Sequence, residues 1–154
     1  MELAYSHLLM NTSDMMKDRD GDMKTKEELI TILDDFIQYK DYFENPPEEA
    51  YLVDDMDYSE CRQAIQLMKL LYKHEIYDTK YYPKLEMMEK KYGTIQMNQL
   101  SKEKLTLEEV FAVLTWIHRE ERHCGGCFLS AIESKTFYNL LCRMEDIKEE
   151  MLSF

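Results

Sequence analysis

The chain has 154 residues, 31 acidic and 19 basic, giving a formal charge of −12 at pH 7 and a pI near 4.8. With 45% apolar and 12% aromatic residues it can bury a core and is too hydrophobic for intrinsic disorder, while 4 Gly and 3 Pro leave little for sandwich turns or phosphate loops. No apolar run approaches the ~20 residues of a membrane span and the N-terminus lacks the basic start of a secretory signal, so a cytoplasmic location without a membrane partner is expected.

Residues 1–24 read as an acidic arm, in which Leu3, Leu8 and Leu9 are spaced for a short amphipathic helix before a polar stretch. Thr25 and Glu28 form a capping-box pattern, after which Leu29, Leu33, Phe36, Ile37 and Phe43 recur at helical spacing until Asn45-Pro46-Pro47 stops the run. The acidic connector 48–57 carries Tyr51-Leu52-Val53, which fits either a short strand or a plug on the core. Asp57 and Glu60 offer a second cap, ahead of a stripe of Cys61, Ala64, Ile65, Met68, Leu71 and Tyr72 that ends near His74. Thr79 precedes a third pattern, Tyr81, Leu85, Met88 and Tyr92, with Pro83 early and Gly93 as a left-handed terminator.

After a loop, Thr106 and Glu109 make another capping box and open a helix through Leu107, Val110, Phe111, Leu114 and Ile117, broken at Gly125-Gly126. Residues 128–135 read as a short helix or turn, and Thr136 caps a last helix carrying Phe137, Leu140, Leu141, Met144, Ile147 and Met151. No alternating strand run and no internal repeat is present. The expected class is therefore all-α, an irregular bundle of about five main helices forming one domain over 25–154, with the N-terminal arm appended.

The charge is asymmetric. Residues 1–60 hold 17 acids and 5 bases, whereas 61–154 hold 14 of each. A negative field on one third of a small protein favours basic partners and disfavours direct contact with DNA or RNA. Asp34, Asp35, Asp41, Glu44, Asp54, Asp55 and Asp57 are placed to imitate nucleic-acid phosphates, and Tyr39, Tyr42 and Tyr51 can act as aromatic anchors. The plainer alternative is a solvated face. The preferred expectation is a non-enzymatic interaction protein that docks on a basic macromolecular surface such as a nucleic-acid-binding protein. By analogy it would inhibit a defence system, as anti-CRISPR-like proteins of phage and mobile elements do. Homo-oligomerisation through Met- and Tyr-rich faces stays open.

Other chemistry is weaker. Cys124-Gly-Gly-Cys127 has the spacing of a zinc half-site, with His118 and His123 near it and Cys61 and Cys142 as remote thiols, but the two histidines face differently on a helix. A redox role wants a βαβ setting that is missing, and reduced, unligated thiols are the simpler reading. Asp18 to Asp22 can be set in a calcium loop with Gly21 at its sixth position and Glu27 at its twelfth, but Met16 then replaces the first carboxylate. Catalytic and dinucleotide motifs are absent. No cofactor or metal is implied, and the chain leans away from being an enzyme.

The segment LTWIHREERHCGGCFLSAIESKTFYNLLCRMEDI, residues 114–147, resembles the bacterial and phage family known as domain of unknown function 6508. The matching residues are Thr115, Trp116, Ile117, Arg119, Glu121, Arg122 and Gly126, with Leu140, Leu141 and Arg143 downstream, while His123 stands where a Phe is usual. The likeness begins near Tyr58, spanning roughly residues 58–147. It implies a helical domain and supplies no activity. On a helix Glu121 falls at the edge of the buried stripe and needs partners, and Arg119 lies one turn after Trp116, close enough for a guanidinium to stack on the indole. These residues form either a structural charge network or, as the alternative function, a small anion-binding site or enzyme centre on Arg119, Glu121 and Arg122.

Overall fold

Residues 24–47 and 62–153 are described by the structure, a computed structural model. Among them are eight helices and no strand: α1 (Lys26–Ile37), α2 (Lys40–Glu44), α3 (Arg62–Lys73), α4 (Tyr81–Tyr92), α5 (Met97–Leu100), α6 (Leu107–Cys124), α7 (Cys127–Glu133) and α8 (Thr136–Leu152). The five longer ones, α1, α3, α4, α6 and α8, match the expected main helices. Residues 1–23, the Asp57–Glu60 cap and the Tyr51-Leu52-Val53 strand or plug lie outside the described residues.

Helix starts follow local chemistry. The Thr106 hydroxyl accepts from Glu109 N at 3.2 Å while the Glu109 carboxylate accepts from Thr106 N at 2.9 Å, a complete capping box. At Thr25 the hydroxyl accepts from Glu28 N at 3.1 Å, and no return bond from Glu28 accompanies it. Gly93 ends α4 in the left-handed region, as expected. The last helix differs by one residue. Lys135, at φ +66°, occupies the cap position, and Thr136 is the first helical residue, its hydroxyl 2.7 Å from that of Ser134.

The first helix is not continuous to Phe43. Its chain tightens at Gln38–Tyr39, where Tyr39 N bonds Phe36 O at 3.1 Å and the Gln38 amide donates to Asp35 O at 2.7 Å. The break lets two aromatics point at different partners. Phe36 lies 5.8 Å from Phe111 between ring centroids, and Phe43 lies 5.1 Å from Phe137. The expected loop after Gly93 also contains the short helix α5, which buries Leu100.

Helix α6 is the centre of the bundle. Residues 107–115 are all buried, because α3, α4, α7 and α8 pack around it. Helix α1 runs along α8, and α2 and α7 also close on α8. One contiguous core results, from Leu29 and Phe36 in α1 to Ile147 and Met151 in α8. No helix among the described residues is long and apolar enough to cross a membrane.

Candidate functional site

The stretch from Thr115 to Gly126 forms the C-terminal part of α6 and the turn after it, and its side chains divide into three directions. Thr115 points inward, accepting from Asp78 N at 3.1 Å and donating to Phe111 O at 2.8 Å, so it ties the α3–α4 connection to the central helix. Glu121 reaches across the glycine turn. Its Oε2 accepts from Cys127 N at 2.8 Å and from Phe128 N at 3.4 Å, satisfying the first amides of α7. The turn itself needs glycine twice, since Gly125 and Gly126 both have positive φ, +64° and +82°. Glu121 is thus a cap, and does not join the two arginines as a shared anion site would require.

Arg119 and Arg122 form the third direction. With His123 they line an open groove of about 260 Å³. Both are exposed, and neither takes part in an ion pair among the described residues. Trp116 does not stack on Arg119 as the helical spacing suggested. The indole packs partly on the core and lines a separate groove with Ile95, Met97 and Cys127, because the helices that pack on α6 leave it an apolar neighbour there.

Beside the arginines lies an aromatic cluster that sequence reasoning did not find. Tyr72 and Tyr77 stack with centroids 4.8 Å apart, and the His118 ring meets both edge-on at 5.7 and 5.6 Å. The Tyr77 hydroxyl and His118 Nδ1 are buried without a hydrogen-bond partner of proper geometry. The Tyr77 and Tyr81 hydroxyls nevertheless sit close enough to Arg119 to raise its pKa. Burial, then the positive fields of Arg122 and Arg119, hold the His118 imidazole below its ordinary pKa, which keeps it neutral at pH 7. Tyr72 and Tyr77 sit on opposite sides of a helix end, so no periodicity announces their stacking.

The cysteine motif is dispersed. Cys127 is half-buried with its thiol 3.9 Å from Met97 Sδ, and burial followed by the Glu121 charge pushes it up to about 11. Such a thiol stays protonated and is a poor nucleophile. Cys124 is exposed, Cys142 lines a different groove on α8 and His118 belongs to the tyrosine cluster. No three potential ligands converge among the described residues. The calcium pattern lies mostly outside them, and its Glu27 is an exposed residue in the first turn of α1.

Of the acidic docking residues, Asp34 pairs with Lys148, and Asp35 pairs with His74 at 2.7 Å and Lys73 at 3.4 Å. Burial pushes the Asp35 carboxyl up, but hydrogen bonds from His74 and Lys73 outweigh it and leave it below the usual carboxylate range. Tyr39 and Tyr42 pack against the core. These four residues are engaged internally. Asp41 and Glu44 are exposed on α2, while Tyr51, Asp54, Asp55 and Asp57 fall outside the described residues.

Buried charge concentrates elsewhere, at a place no motif or spacing in the chain marks. Lys84 Nζ lies 2.7 Å from Asp78 Oδ2 and 2.7 Å from Glu108 Oε1, and the two carboxylate side chains are only 5% and 4% exposed. Next to it Glu109 accepts from the Tyr92 hydroxyl at 2.7 Å. Arg143, downstream in the same signature, donates to Leu105 O at 2.7 Å and reaches Glu150 at 3.4 Å, fastening α8 to the segment before α6.

The chain belongs to the family of unknown function DUF6508, whose model matches residues 22–150. The match extends well before Tyr58 and takes in α1 and α2. No curated protein and no solved structure matches the chain.

Proposed function

We propose that this member of the family is a non-enzymatic interaction protein, whose helical core presents an acidic segment to a basic surface on a nucleic-acid-binding protein. The observation that carries it is the distribution of charge. The described residues hold 20 acids and 17 bases, leaving 11 acids and 2 bases for 1–23 and 48–61. Residues 48–60 contain six acids and no base, and follow directly on the exposed Asp41 and Glu44 of α2. Asp34 and Asp35 leave the earlier set because Lys148, Lys73 and His74 of the bundle already engage them.

Electrostatic docking of this kind falls steeply with ionic strength. Co-purification from the native host at low and high salt identifies the partner. Charge reversal at Asp54, Asp55 and Asp57 to Lys weakens capture strongly, whereas reversal at Asp34 and Asp35 lowers thermal stability and leaves capture nearly intact. Undiminished capture by the triple variant eliminates the acidic segment as the docking surface. A nucleic-acid-handling nuclease of a phage-defence system, which this chain would inhibit, is the partner class this charge pattern suits best.

A further inference from the structure

We propose that the groove at the end of α6, lined by Arg119, Arg122 and His123 and backed by Tyr77 and His118, binds a phosphate or phosphate monoester. Two observations converge on it. The first is electrostatic: in a chain of charge −12, two guanidinium groups and a histidine share one groove with no carboxylate paired to either arginine among the described residues. Like charges gathered in this way repel, and an anion relieves the repulsion.

The second is positioning. The Tyr77 and Tyr81 hydroxyls abut Arg119, and the Tyr72–Tyr77 stack fixes the wall behind it.

The donor set favours phosphate over carboxylate. Two planar guanidinium forks side by side on one helix supply more donors than two coplanar oxygens can accept, and suit a tetrahedral oxyanion. Tyr72 is 51% exposed, so a monoester can extend its organic group over an aromatic face. Glu121 takes no part, since its carboxylate caps α7.

Titration calorimetry and phosphorus NMR with inorganic phosphate and with phenyl phosphate test this on the full chain at low salt. Saturable binding of at least one probe is expected. Arg119→Ala and Arg122→Ala should each weaken it at least ~10-fold, equivalent to about 1.4 kcal/mol. Tyr77→Phe should weaken binding, because the hydroxyl that abuts and positions Arg119 is lost. Glu121→Gln should melt earlier and bind as the parent does. Absence of saturable binding by both probes, or equal binding by the Arg119→Ala/Arg122→Ala double variant, overturns the proposal. Early melting of Tyr77→Phe with unaltered binding also counts against it, since the hydroxyl would then be structural.

Discussion

Replacing Lys84 by Met is the most demanding perturbation of this fold. The methionine keeps the aliphatic stem but removes the one ammonium shared by Asp78 and Glu108, each 2.7 Å away. At an effective dielectric near 20, a unit pair at that distance attracts by about 6 kcal/mol before desolvation is charged against it. Asp78 and Glu108 are 5% and 4% exposed, so water cannot replace the lost partner, and Glu108 Oε2 already has none. Lys84 is itself only 18% exposed, and relief of its own desolvation offsets part of the loss. Breaking a buried pair from one side costs roughly 3–5 kcal/mol. For a chain of this size that is a fall in melting temperature of roughly 6–20 °C.

Urea unfolding at pH 7.5 measures it, with the m-value checked to confirm that the same surface is exposed. Adding Glu108→Gln to the variant should recover part of the loss, because one buried charge is then gone. A deficit under about 1 kcal/mol, or one indifferent to the second substitution, would show that these carboxylates do not depend on Lys84 as buried anions.

Two further outcomes follow from the site. Glu121→Ala removes the side chain that accepts from Cys127 N and Phe128 N, and should lower stability by about 1 kcal/mol, with amide exchange accelerating first in α7; unchanged exchange there would refute the cap. His118 faces Tyr72, Tyr77, Arg119 and Arg122, and its folded pKa lies below the ordinary 6.5. The unfolded chain therefore takes up the proton first as pH falls, so this group subtracts stability from about pH 6.5 downward until the folded imidazole titrates. His118→Phe should lessen the loss of melting temperature between neutral and mildly acidic pH, and parallel curves for parent and variant would contradict that assignment.

The helices themselves were legible in the chain because their causes are local. Apolar residues three and four apart, Thr106 with Glu109, and Gly93 and Gly125-Gly126 act over a few residues, and each does in the structure what its neighbours imply. The family signature was equally visible, yet the roles of its residues were not. Whether Glu121 faces an arginine or the amides of α7 depends on how the glycine turn swings the next helix.

Long-range pairing escaped for the same reason. Asp78 and Glu108 share Lys84 only because α4 packs along α6, and Tyr72, Tyr77 and His118 meet only because α3 ends beside the middle of α6. Charge sums read from the chain located the acid excess but could not tell paired carboxylates from free ones. Asp34 and Asp35 are engaged by lysines and a histidine 114 and 38 to 39 positions away. Sequence determines where a helix begins, ends and turns its apolar face, since those energies are settled within a few residues. Tertiary packing decides which charges meet, since that depends on faces brought together across the whole bundle.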